Sequence, residues 1–119
     1  MATLMIAVRA SAETRNAVNE AVLDALGPEG HVVNISRGLV IDEEALCDAL
    51  EQNRIAGAAL DVFAAEPHVP ERLRKLDNVV LTPHIAASSQ DAKKAQLRTL
   101  LGNLEAFFAG RAMPSAVAL

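Results

Sequence analysis

The chain of 119 residues carries a net charge of −4 and an apolar fraction of 51%, with three Phe and neither Trp nor Tyr. That length can bury one modest core, and the small aliphatic composition suits helices packed closely on a sheet, not a disordered tail. An acidic balance without a basic cluster argues against nucleic acid or an anionic membrane surface as partner, so any anion site must be built from single residues. Cys47 is the only cysteine. It excludes an internal disulfide and a cysteine-based zinc site, and it points to a reducing cytoplasm. The apolar start MATLMIAV lacks a basic flank and soon meets Arg9, Glu13 and Arg15, so it reads as a strand. No run approaches the roughly 18 apolar residues of a membrane span.

Short apolar runs alternate with amphipathic stretches. Residues 4–8, from Leu4 to Val8, form the first strand candidate, followed by a turn at Ser11 to Thr14. Val18, Val22, Leu23 and Leu26 then recur at helical spacing until Gly27-Pro28 stops the helix. Residues 31–35 form the second strand. Asp42 is a good N-cap for a helix bearing Ala45, Leu46, Ala49 and Leu50 on one face, with Glu43 and Glu44 favourable in its first turn. The third strand spans residues 55–62, a short helix fits 70–76, and the fourth strand spans 78–81. A long helical pattern runs from Ser88 to about Ala109 and is ended by Gly110; the tail 111–119, with Pro114, reads as extended. Parallel strands need helix-sized crossovers, and continuous apolar runs suit burial on both faces. The chain is therefore predicted to be α/β: about four parallel strands with helices on both faces and a long C-terminal helix.

Ligands of open parallel sheets bind beyond the carboxyl ends of the strands. Arg37 follows the second strand, Asp61 and Glu66 end or follow the third, and His84 follows the fourth. Gly38 allows a sharp turn after Arg37, and Pro83 fixes the entry to His84. Each residue alone has a bland explanation: a paired surface arginine, an exposed turn glutamate, a histidine capping a helix. Together they can bind an anion, orient an imidazole and move a proton. His31 reads as an exposed or capping residue and His68 as a solvated loop residue. No His, Asp or Glu spacing suggests a metal site.

The blocks VNISRG (33–38), IDEEAL (41–46), RIAGAALDVFAAEP (54–67) and NVVLTPHIA (78–86) resemble the cofactor-binding domain of the D-isomer-specific 2-hydroxyacid dehydrogenases. That family includes glyoxylate and hydroxypyruvate reductases, phosphoglycerate dehydrogenase and D-lactate dehydrogenase. The resemblance implies NAD or NADP as cofactor, a small 2-hydroxy or 2-keto acid as substrate, and a Rossmann-like fold over residues 1–110, with 111–119 leading back to a substrate domain. By the same resemblance, Arg37 binds the substrate carboxylate and polarises the keto group. His84 is the general acid/base, and Glu66 orients it. Asp61 matches the acidic residue near the nicotinamide carboxamide. Ile35, Ser36, His84 and Ala86 match positions around the nicotinamide and its ribose, and Val8, Arg9 and Thr14 match the loop near the adenosine ribose.

The chain also departs from the pattern. It holds no G-x-G-x-x-G turn, and neither the family's substrate domain nor its first three strands are matched. Arg9 stands where a proline is usual, and Ala86 where a glycine is usual. The resemblance therefore implies a truncated Rossmann-like domain whose first strand is an exposed edge, open to pairing in a homo-oligomer. Three readings follow: a dehydrogenase fragment inactive alone, a non-catalytic oligomerisation or regulatory module, or one half of an enzyme completed by a separate chain.

Overall fold

The computed structural model describes residues 1–117. Within it, the first compact unit, Met1–His84, carries β1 (Thr3–Ile6), α1 (Glu20–Leu26), β2 (His31–Asn34), α2 (Glu43–Glu51), β3 (Gly57–Leu60), α3 (Glu71–Arg74) and β4 (Val79–Leu81). The second unit, Ile85–Leu119, is built on α4 (Gln90–Phe108). All four strands are parallel, in the order β1-β2-β3-β4. The fold is α/β and Rossmann-like.

The register explains which face carries the core. Leu4, Val32, Ala58 and Val79 form one row across the sheet, and Ile6, Asn34, Leu60 and Leu81 the next. The apolar members of both rows belong to or pack against the core, which α1, α2 and α3 complete with Leu23, Leu46, Leu50 and Leu73. The intervening row, Met5, Val33, Ala59 and Val80, points to the opposite face because side chains alternate along a strand. There Met5 is 57% and Val80 63% exposed. Burial on both faces, expected from the continuous apolar runs, is thus deep at the middle of one face, where Leu4, Val79 and Leu81 are partly buried at its margins, and weaker on the other.

The caps fall where the side chains supply them. Asn19, Asp42 and Ser89 each accept the backbone N–H three residues on, at 3.1–3.2 Å. Gly27 ends α1 at a φ of 78°, a conformation open to glycine.

Several boundaries differ from those the sequence predicts. β1 stops at Ile6, leaving Val8 outside the strand and exposed. Val18 precedes α1; it sits in a parallel bridge to Ile41 and donates its N–H to Val40 O at 3.0 Å. Ile55 is fully buried yet outside β3, because its N–H and that of Arg54 turn back to Ala49 O at the end of α2. His31 is half-buried within β2 instead of exposed. The tail is not simply extended either. It turns at Pro114 and Ser115, where Ser115 donates its N–H to Asn103 Oδ1 and its hydroxyl bonds Asn103 Nδ2. Residues 118 and 119 of that expected tail lie outside the described residues.

Cys47 lies fully buried in α2, and burial pushes its thiol up to about 11, so it stays a packed, protonated side chain at neutral pH. Among the described residues no helix is long and apolar enough to cross a membrane, and no group of three or more His, Cys, Asp or Glu is placed to hold a metal ion.

Candidate active site

At the carboxyl end of β2, Asn34 sits in an apolar strand but is itself a polar hub. It is 1% exposed; its Oδ1 accepts both the N–H and the hydroxyl of Ser36 at 3.0 Å, and its Nδ2 donates to Arg37 O at 3.0 Å. Buried polar groups demand such partners, so one amide shapes the turn that presents Arg37. Asn34→Ala strips all three bonds and leaves largely buried groups unpaired, with an expected loss of about 2–3 kcal/mol of stability. Urea unfolding followed by far-UV circular dichroism measures it.

The ends of β3 and β4 are tied together. Thr82 donates its hydroxyl to Asp61 Oδ1 at 2.5 Å, and Asp61 O accepts the N–H of His84 at 2.8 Å. Asp61 itself is buried. These ties hold His84 at a φ of 53°, a left-handed conformation that costs a non-glycine residue roughly 1–2 kcal/mol. Local strain of this kind is often found at functional sites.

Glu66 reaches the imidazole: its Oε2 lies 2.8 Å from His84 Nδ1, and its Oε1 accepts the N–H of Phe63 at 3.0 Å. The bond to His84, then that to Phe63, holds the Glu66 carboxyl below the usual glutamate range against the opposing effect of desolvation, and Arg37 adds a weaker pull. An ionised carboxylate at Nδ1 assigns the proton there and leaves Nε2 for other chemistry. Phe63, Glu66, Pro67, Val69, Pro83 and His84 line a mostly apolar cavity of about 170 Å³ beside this pair.

That carboxyl has a consequence for acid stability. Its folded value lies below its ordinary 4.5, so the stabilisation is full above that pH and is lost as pH falls through the folded value. Acid unfolding below pH 4.5 is expected to be shallower in Glu66→Gln, read as the pH dependence of the urea midpoint.

The other predicted residues divide. Arg37 is exposed and donates from Nη1 to Ser36 O at 2.7 Å. It lines a second cavity with Val8, Arg9, Ala10 and Ser36. Thr14 is committed to its own loop, donating its hydroxyl to Arg9 O and accepting from Ser11 N–H. Ile35 is exposed beside buried Ser36, and Ala86 falls in the second unit. The sequence pattern assigns no part in the site to Asn34, Thr82 or Glu43. A polar Asn inside an apolar strand run was the one available signal; Thr82 and Glu43 read as an ordinary strand end and helix start.

The model of the "D-isomer specific 2-hydroxyacid dehydrogenase, NAD binding domain" matches residues 2–86. The chain belongs to this family. It is 46% identical over 110 residues to a glyoxylate/hydroxypyruvate reductase of Arabidopsis thaliana, a match covering 92% of this chain and 35% of that protein. With a glyoxylate reductase of Pyrococcus furiosus it shares 44% over 114 residues, 96% of this chain and 34% of the relative. An NADPH-dependent glyoxylate/hydroxypyruvate reductase from Sinorhizobium meliloti, solved with NADP and malonate, superposes with a TM-score of 0.90 at 45% identity. That superposition covers 98% of this chain and 36% of the other. This dehydrogenase-family chain thus spans about a third of the length of the relatives it matches.

Proposed function

We propose that these residues supply the acid/base and anion-binding half of a reductase acting on a small 2-keto acid such as glyoxylate or hydroxypyruvate. The observation that carries this reading is the Glu66–His84 bond at 2.8 Å beside an apolar cavity, with Nε2 left over. In the direction of reduction, a bound NADH or NADPH supplies the hydride. His84, protonated, gives its Nε2 proton to the developing alkoxide, and Glu66 balances the imidazolium charge before that transfer. Arg37 pairs with the substrate carboxylate through its planar fork, a geometry that lysine lacks.

The residues fit a nicotinamide cofactor in kind. Asp61 is a buried acceptor at the rim, and Arg9 and Arg37 bring two guanidinium groups to one cavity that suits an anionic ligand. On this proposal Val8, Arg9, Thr14, Ile35, Ser36, Arg37, Asp61, His84 and Ala86 line the cofactor, NAD or NADP. Residues 1–110 act as the C-terminal half of the dinucleotide domain, and 111–119 lead toward a substrate domain. Turnover by these 119 residues alone is expected to be negligible, because their sequence contains no G-x-G-x-x-G turn to hold a pyrophosphate. A cytoplasmic setting agrees with the single reduced cysteine.

Titration of the chain with oxamate, a 2-keto acid analogue, followed by NMR, tests the site. Shifts confined to residues around Arg37, Glu66 and His84, and abolished by Arg37→Ala, are expected. No response at millimolar oxamate counts against the reading.

A second reading has its own observation: β1 is an edge of the sheet, and Met5 within it is exposed. A homo-oligomer paired through this edge is proposed on that basis. Light scattering that finds a monodisperse monomer at micromolar concentration would exclude it. Self-association without any oxamate response would favour a non-catalytic oligomerisation module.

A further inference from the structure

The Phe63–Ala64 peptide is where three segments of the first unit meet. Its N–H, on Ala64, donates to Glu43 Oε2, and the N–H of Phe63, in the peptide just before it, donates to Glu66 Oε1, both at 3.0 Å. From the side of the Arg37 loop, Gly38 packs directly on it. A Cβ at Gly38 would lie 1.9 Å from the Phe63 carbonyl carbon and 2.3 Å from Ala64 N. Glu43 is half-buried in the first turn of α2, where a glutamate is already favoured by the helix dipole. The dipole does not explain why its carboxylate crosses 21 residues of sequence to one particular backbone N–H.

We propose that Glu43 is a positioning residue for the Glu66–His84 pair. By holding Ala64 N–H, it fixes the plane of the Phe63–Ala64 peptide against Gly38 and steadies the residue whose N–H orients Glu66. Glu43 bonds neither Glu66 nor His84, so it acts only through this peptide. The inference rests on reading Glu66 and His84 as an acid/base pair, yet its geometry can be tested without any turnover.

Three variants of the 119-residue chain separate reach from charge. Glu43→Gln keeps an acceptor oxygen at full reach and loses the charge. Glu43→Asp keeps the charge and is one methylene short. Glu43→Ala loses both. Carbon-13 NMR of the Glu66 carboxyl across pH is the main readout, with hydrogen exchange of the Ala64 amide beside it.

If Glu43 positions the pair, the Glu66 midpoint rises toward 4.5 in the Asp and Ala variants and does not rise in Gln. Exchange at Ala64 speeds about fivefold in Asp and Ala, the equivalent of one ordinary hydrogen bond, and stays near the parent rate in Gln. A direct charge effect has the opposite sign. Removing a nearby negative charge lowers the Glu66 midpoint, so a fall in Gln and Ala with Asp unchanged would overturn the proposal. No change in any variant would overturn it too. Should Glu43→Ala fail to fold, the Asp and Gln variants decide alone. Should the NMR pattern hold while substitution of His84 leaves catalysis in a longer relative untouched, the functional reading fails and the positioning geometry stands.

Discussion

Gly38→Ala is expected to destabilise the first unit by roughly 3 kcal/mol or more, at the upper end of what overpacking costs. The added methyl would meet the Phe63 carbonyl carbon at 1.9 Å, its oxygen at 2.2 Å and Ala64 N at 2.3 Å. All three are backbone atoms, so no rotamer change relieves the clash. Either the Arg37 turn lifts off the 63–66 loop or that loop shifts. The Phe63 side chain is buried in the core and resists the second course. A fall in Tm of about 10 °C or more by thermal circular dichroism is the expected measurement. The carbon-13 midpoint of Glu66 should rise with it, because the Phe63 N–H can no longer hold its place. An unchanged Tm would mean that the close approach at Gly38 is absent in solution.

His84→Ala carries the largest expected effect on chemistry. In a polypeptide that joins these residues to a phosphate-cradling turn and a substrate domain, it should lower kcat by about 10²–10⁴, the usual worth of a positioned general acid/base. Arg37→Lys should act mainly through KM, since a point charge replaces a planar fork. Losing both the rate and the acid/base limb of its pH profile in His84→Ala would bind the proton step to this imidazole. A wild-type rate in that variant would remove His84 from the mechanism. The chain itself offers a companion measurement. Without the imidazole, Glu66 loses its strongest stabilising contact, and its carboxyl should titrate closer to 4.5.

Much of this architecture was legible from local chemistry. Asp42 announced its helix because a side-chain oxygen three residues before a free N–H has one obvious use. The four strands were visible as apolar runs between amphipathic stretches. Their ends were not, and the reason differs at each. Val18 looks helical by spacing but is captured by Ile41, a partner 23 residues away. Ile55 looks like strand by composition but its N–H is drawn to the end of α2. Apolar runs also suggested two covered faces, and only the register shows that Met5, Val33, Ala59 and Val80 share the open one.

The candidate trio shows the same division. Sequence alone determined that Arg37, Glu66 and His84 follow successive parallel strands and so share one rim, because chain order and strand direction put them there. It carried their family blocks and with them the expected roles. Only the tertiary structure decided which of them touch. Glu66 and His84 meet, while Arg37 turns its guanidinium to the Ser36 carbonyl and acts on Glu66 at a distance. Only the structure brought in Asn34, Thr82 and Glu43, whose partners are set by side-chain reach across folded segments. A pattern along one chain records periodicity and spacing; it does not record a 3.0 Å bond from α2 to the 63–66 loop, which exists only once both have packed on the sheet.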